Sequence, residues 1–257
     1  MGDAQTIRVE VESGVATVTL NRPDRLNGMT NRMLRETWEA MGALAADRLV
    51  RIVVLTGEGR GFCPGADLGH FTSGQTDERA HPHAFRVCTL LHEMPAVTLA
   101  AINGACAGAG LGWALACDLR VAAESANFST AFLNVAVAGD MGGPWTLSHL
   151  LGGAKARELY FLPDKFPASE ALRIGLVSRV FPDATFRDDV AALVARLSKA
   201  APLALRSMKE NFVAAERMTF ADYIDFESER HLRIASSPET AEAFRAFVEK
   251  REPNFQR

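Results

Sequence analysis

The 257-residue sequence predicts an α/β fold with an all-helical C-terminal region. Three observations carry that expectation. Strand-like apolar runs alternate with helix-period segments as far as about residue 185. Beyond that point only helical periodicity remains. Two of the buried strands also run straight into glycine-rich loops, Gly61–Leu68 (GFCPGADL) and Gly104–Gly112 (GACAGAGLG). A chain that alternates in this way layers helices on a sheet.

Taken in order, Ile7–Val11 and Val15–Leu20 alternate and are joined through Ser13-Gly14, which predicts a hairpin. The polar loop NRPDRLNGMT ends at Thr30, placed to cap a helix over Asn31–Ala46 with Met33, Leu34, Trp38, Met41 and Leu44 at helical spacing. Ile52–Thr56 is a continuous apolar run and reads as a buried strand. GEGRGFCPGADL reads as loop, Phe71–His83 as a polar, mobile connection, and Ala84–Leu91 as a helix in a region closed by Pro95.

Met94 to Cys117 contains no charged residue. An apolar run of this length raises the question of a membrane span, and Gly104 and Gly108 form a G-x-x-x-G pattern. Pro95, Asn103 and the glycines at 104, 108, 110 and 112 oppose that reading. Asn103-Gly104 is a turn signal that splits the run into a buried strand, Met94–Ile102, and the start of a buried helix, Leu111–Cys117.

Strands over Leu119–Ala122 and Asn127–Phe128 follow, then the loop VAVAGDMGGPW. Helices are expected over Trp145–Leu151, Ala154–Phe161 and Ser169–Ile174, the last with Gly175 at its C-cap position. Leu176–Phe181 reads as a strand. Helices over Arg187–Ala200, Leu203–Arg217, Phe220–Ile234 and Pro238–Glu249 complete the chain. The expected division is a core at 1–185 and a helical oligomerisation region at 186–257, because amphipathic tail helices this long in a short chain pack on another subunit.

Composition narrows the function. A net charge of −3 gives no global basic field for nucleic acid or anionic lipid. Cys63, Cys88, Cys106 and Cys117 form no C-x-x-C pair, and no secretory signal opens the chain, so free thiols in a reducing cytoplasm are expected. Neither glycine-rich loop matches a dinucleotide or P-loop pattern. Each could be a tight core turn. Each could equally present backbone N–H groups to an anion, and two such groups converging on one oxygen make an oxyanion hole.

NRPDRLN, GFCPGADL, INGACAGAGLGWALACDLRVA, EALRIGLVSRVF, APLALRSMKE and AFVEKREPNF, in that order and spacing, resemble the crotonase family of enoyl-CoA hydratases and isomerases. The resemblance covers nearly the whole chain. It implies a ββα spiral core with a C-terminal α-helical trimerisation region, and a homotrimer or a hexamer built as a dimer of trimers. It implies an acyl-CoA thioester as ligand, with coenzyme A part of the substrate, no tightly bound cofactor and no metal. The backbone N–H groups of Ala66 and Ala109 would hold the thioester oxygen, beside Pro64, Gly65, Ala107 and Gly108. Many relatives have glycine at the second donor, so the hole requires a negative φ at Ala109. Leu26, Asp67 and Leu68 fall along the adenine and pantetheine path. Phe247 and Lys250 fall where the tail closes over coenzyme A, and Arg25 and Lys250 could meet its phosphates or simply face solvent.

The hydratase branch of that family uses two glutamates. Here the corresponding positions are Gly112 and Phe132, neither able to move a proton, and Glu124 in ESANF reads as a surface turn. Asp140 is the acid that remains. It falls where dienoyl-CoA isomerases, 1,2-epoxyphenylacetyl-CoA isomerases and 4-chlorobenzoyl-CoA dehalogenases carry an aspartate. The alternative role is a cap for the helix beginning near Gly142.

Phe132, Val135 and Trp145, with Gly112, are the expected acyl pocket, one aromatic at least being core. Three functions follow: an isomerase with Asp140 as its single acid/base, a hydratase with atypical acid/base groups, or a non-catalytic acyl-CoA binding protein. His81 and His83 are too short a pair to specify a metal. His70 reads as solvent-exposed, and His149 as a buried, satisfied core residue.

Overall fold

The computed structural model describes residues 5–73, 81 and 83–255. The chain opens with the hairpin β1 (Ile7–Glu12) and β2 (Val15–Leu20), paired antiparallel from Ile7↔Leu20 to Glu12↔Val15. Helix α1 (Asn31–Ala46) starts at Thr30, whose side chain accepts from the Met33 N–H as the sequence predicts.

Three strand pairs then repeat one plan. β3 (Ile52–Gly57) is followed by β4 (Gly61–Cys63), β5 (Val97–Ile102) by β6 (Ala105–Ala107), and β7 (Leu119–Ala123) by β8 (Asn127–Ser129). The first strand of each pair joins one sheet of order β1-β2-β3-β5-β7-β10, where β10 is Arg179–Phe181. The second joins a smaller sheet, β4-β6-β8-β9, with β9 at Phe166–Pro167. Helices intervene: α2 (Leu68–Thr72) and α3 (Val87–Glu93) after the first pair, and α4 (Gly108–Ala116) after the second. After the third come α5 (Gly143–Leu151), α6 (Gly153–Phe161) and α7 (Ala168–Arg173). This is the expected ββα spiral.

The alternation of strand side chains divides the core. Val53, Leu55, Ala100, Ile102 and Ala122 face the cluster shared with α1, α3 and α4. Ile52, Val54, Leu99, Ala101 and Val121 face the other way and are covered by Phe186 and Val190 of α8 (Phe186–Ser198). Sheet faces covered on both sides explain why β3 and β5 read as continuous apolar runs.

The three remaining helices are α9 (Pro202–Ala215), α10 (Phe220–Ala235) and α11 (Pro238–Glu249). Lys209 ties α9 to the core. Its ammonium is buried and reaches Asp118 Oδ2 at 2.8 Å, Leu91 O at 2.9 Å and Ala96 O at 2.8 Å. Removing one partner of a buried pair strands the other charge. Lys209→Met is therefore expected to lose about 3–5 kcal/mol of stability in urea titration. An unchanged midpoint would mean that Asp118 finds water instead.

Several elements differ from the sequence expectation. The sequence predicts loop at β4 and β6. They are three-residue strands in glycine-rich stretches, too short to show a period. Leu176 and Val177 are buried but lie before β10, so burial there comes from a turn. His149 is exposed on α5, with its Nδ1 2.8 Å from Trp145 O, and is not a core residue. α5 buries only Gly143 and Leu147, so one face of this short helix is enough for the core. Most of the expected mobile connection at Phe71–His83 lies outside the described residues. Of its described part, His81 stacks on Trp38 at 4.9 Å.

Candidate active site

The charge-free segment is accounted for by close backbone contacts. A Cβ on Gly104 would meet Arg60 O at 2.2 Å, and one on Gly110 would meet Cys63 O at 2.2 Å. Gly104, two residues after β5, and the first turn of α4 thus lie directly against the β3–β4 corner and the end of β4. Asn103 braces the same corner, receiving the Gly57 N–H and donating to Gly59 O and Gly61 O. Larger or charged residues have no room here.

The two glycine-rich loops meet. Met29 N–H donates to Gly65 O at 2.8 Å, and Asp67 N–H donates to Met29 O at 2.9 Å. That is a parallel bridge between Met29 and Ala66, so the N–H of Ala66 points away from Met29. On the other side of this loop lies the start of α4. A Cβ on Gly65, whose φ is +99°, would sit 3.2 Å from Ala107 O and 3.6 Å from both Ala109 N and Gly108 Cα.

Gly108 has φ +52°, while Ala109 is helical with negative φ. Ala109 is in the first turn of α4, whose N–H groups lack intrahelical acceptors, and no side chain caps them. Ala66, exposed, and Ala109, buried, thus present adjacent backbone donors.

The path leading from this pair is held by charge. Asp67 caps α2 through His70 N–H at 3.0 Å and pairs with Arg22 at 2.8 Å. Burial pushes its carboxyl up, but Arg22, the His70 N–H and Arg25 more than offset this and hold it below the usual range. Arg22 also donates to Gly28 O. Arg25 and Leu68 are exposed and Leu26, with φ +51°, packs on Gly61. Pro64 is half-buried. Phe247 and Lys250 stand apart. α11 packs on α10, Phe247 is 85% exposed, and neither residue bonds to these loops among the described residues.

Phe132 links the donors to the acid. It lies in a 3-10 turn, Phe132–Val135, with one ring edge 3.9 Å from where a Cβ on Gly108 would be. The other edge lies 3.7 Å from the corresponding point on Gly139. Val135 is exposed. Trp145 belongs to a different ring cluster, 5.4 Å from His92 and 4.1 Å from His149.

Asp140 follows Gly139 in a loop with φ of +58° at Ala136, +111° at Gly139, +54° at Met141 and +71° at Gly142. Its Oδ1 is buried with no hydrogen-bond partner. It does not cap α5, where Gly142 holds that position and no side chain contributes. Burial alone pushes its pKa up. Gly112 packs beneath this loop, and a Cβ there would lie 2.4 Å from Met141 Cβ. A glutamate at position 112 would displace the loop that carries Asp140.

The remaining candidates fall away. Glu124 is exposed in a turn, and His70 is half-exposed on α2. The Cys63 thiol is pushed up to about 12 by burial, which leaves it a neutral thiol. Among the described residues, no three His, Cys, Asp or Glu residues gather as a metal site, and no helix is long and apolar enough to cross a membrane. Sequence reasoning passed over Met141 and Tyr160, whose contacts with Gly112, Gly139 and Gly143 join separate parts of the chain and leave no local signal.

Residues 10–257 match the family model described as "Enoyl-CoA hydratase/isomerase". The chain belongs to the enoyl-CoA hydratase/isomerase family. Members of this crotonase-type family act on coenzyme A thioesters without a tightly bound cofactor. Among its relatives, a protein of Rhodobacter capsulatus named "Probable enoyl-CoA hydratase" is 34% identical over 97% of this chain and 97% of its own. The 1,2-epoxyphenylacetyl-CoA isomerase of Escherichia coli is 34% identical over 95% of this chain and 96% of its own. The solved structure of an enoyl-CoA hydratase from Bacillus anthracis superposes with a TM-score of 0.90, at 29% identity, covering 98% of this chain and 99% of that one.

Proposed function

We propose that this family member is an enoyl-CoA isomerase that moves a double bond by a 1,3-proton shift, with Asp140 as its single acid/base. The carrying observation is the Asp140 carboxyl, buried at Oδ1 without a partner and held in a strained loop, where both hydratase acid positions are empty. Strain and an unpaired buried acid are costs that a purely structural loop would shed.

The Asp140 carboxylate takes a proton from C2 of a 3-enoyl thioester. The C–H electron pair moves onto the carbonyl oxygen, giving a dienolate held by the N–H groups of Ala66 and Ala109. The same carboxylic acid returns its proton at C4, and the electrons flow back to leave the double bond at C2–C3. Phe132 forms the apolar wall between donors and acid. Arg25, Leu26, Asp67 and Leu68 line the coenzyme A path. The likeness to the Escherichia coli isomerase supports this reading, and the Rhodobacter protein keeps water addition as the alternative. Met208, Phe212, Phe220, Leu232, Phe244 and Phe247 are exposed on α9–α11, supporting a trimer or hexamer through that face.

The test offers saturated, 2-enoyl, 3-enoyl and aryl-acetyl CoA thioesters in D₂O to wild type and Asp140→Asn, and reads deuterium by mass spectrometry. Uptake by wild type that disappears in the variant is expected. Uptake persisting in the variant removes Asp140 from the mechanism. Binding without uptake by either protein points to a non-catalytic acyl-CoA protein.

A further inference from the structure

Tyr160 enters the Asp140 loop through the space left by two glycines. A Cβ on Gly143 would lie 2.0 Å from the Tyr160 hydroxyl, and one on Gly139 would lie 3.2 Å from its ring and 3.7 Å from its hydroxyl. These glycines bracket Asp140. Tyr160 is fixed from behind. Its ring stacks on Phe132 at 5.9 Å and 17°. Thr130 donates to Leu159 O at 2.6 Å and Ser129 to Pro163 O at 2.9 Å, which fastens the end of α6 to the end of β8.

A count of polar hydrogens decides what this hydroxyl does. Among the described residues, the Asp140 charge adds to burial in raising the pKa of Cys63 at the end of β4, Cys88 on α3 and Tyr160 on α6. Among the described residues no cation offsets that charge, and burial is the cause of its shift. The Cys63 thiol faces Gly65 O at 3.8 Å and the Cys88 thiol faces Gly112 O at 3.7 Å. Both are spent on carbonyls. The Tyr160 hydroxyl makes no hydrogen bond among the described residues, and burial, followed by the charge of Asp140, keeps its phenol protonated well above neutral pH. A buried acceptor without a partner, Asp140 Oδ1, and a hydroxyl without a protein acceptor thus meet at the same five-residue loop, 139–143. Catalytic hydrogen bonds that are open in the free enzyme commonly close in the working complex.

We propose that Tyr160 is a positioning residue whose hydroxyl donates to the Asp140 carboxylate in the working enzyme, aiming it and stabilising it as the base. The proposal rests on the acid/base role of Asp140 for its catalytic consequence, but the pairing itself does not.

The test therefore reads the carboxyl directly. The full chain is labelled with ¹³C-carboxyl aspartate, and the Asp140 signal is assigned by its loss in Asp140→Asn. With a saturated acyl-CoA thioester bound, it is then titrated in wild type and in Tyr160→Phe, which keeps the ring stack. A charge-assisted hydrogen bond is worth about one pH unit or more, so Asp140 is expected to titrate about one unit higher in Tyr160→Phe. The acidic limb of deuterium uptake should move by the same amount, and uptake at neutral pH should fall several-fold. Equal titration in the two proteins, or a downward shift, overturns the pairing. Deuterium uptake that survives in Asp140→Asn overturns the proposed function instead, while the carboxyl titration still decides the pairing.

Discussion

Asp140→Asn is expected to slow turnover by about 10²–10⁴-fold and, at the same time, to raise the melting temperature. The first effect follows from deleting the group proposed to carry the proton. Affinity for the acyl-CoA should hold, because the two N–H donors and the Arg22–Asp67 pair do not involve this carboxyl. The second follows from burial. The carboxyl of Asp140 has its pKa raised in the fold because its charge is desolvated and unpaired. Between the unfolded and folded values the native chain therefore binds more protons than the unfolded chain. Stability falls as pH rises through that window, and the whole cost is present above it. Asparagine removes the charge and with it the cost. The variant's melting temperature should exceed that of wild type at neutral pH, and the gap should narrow as pH falls through the raised value. A variant that melts lower at neutral pH would show that Asp140 is satisfied in solution by a partner. Loss of activity paired with gain of stability marks a residue kept for chemistry.

Gly110→Ala is expected to cost about 10²–10³-fold in turnover, although the added methyl touches no substrate. Its carbon would lie 2.2 Å from Cys63 O and 2.6 Å from Cys63 Cβ, closer than atoms approach. Backbone must move, since neither contact is the tip of a flexible chain. Ala109 precedes Gly110, and Cys63 leads by three residues to Ala66, so the movement separates the two N–H donors. Overpacking of this kind also loses about 1–3 kcal/mol. Gly42→Ala is the control, because a Cβ there meets nothing within 4 Å and sits in the interior of α1, where alanine is the better helix former. Wild-type turnover in Gly110→Ala would mean that the hole is not built by this contact. A circular-dichroism melt run beside the kinetics separates misplacement from unfolding.

Much of the candidate site was legible in the sequence because its residues sit on loops with sharp local signals. Asn103-Gly104 marked the turn, Thr30 marked the start of α1, and Asp140 stood out as an acid among small residues. The resemblance supplied Ala66 and Ala109, and the structure supplies the condition on Ala109, a negative φ. What stayed hidden is non-local. Nothing near Gly112 foretells that Met141 lies on it, and nothing in ARELYF foretells that Tyr160 reaches Gly143. β4 and β6 were missed because three residues carry no period. His149 was misplaced because an apolar helix need bury only one face. Phe132 and Trp145 were grouped by residue type, whereas packing sends them to different aromatic neighbours.

The donors proposed to hold the thioester oxygen are main-chain atoms. Nineteen of the twenty amino acids carry an N–H there, and only proline lacks one. Point substitution can therefore change the side chain at 66 or 109 without deleting a donor, and the loss must come indirectly, through packing faults such as the one at Gly110. In the proposed mechanism the binding half of the reaction is written in chain geometry and is sheltered from drift, while the proton-moving half rests on one replaceable carboxyl. A lineage built this way can exchange its acids and its acyl walls, and so its reactions, without first losing its grip on the thioester.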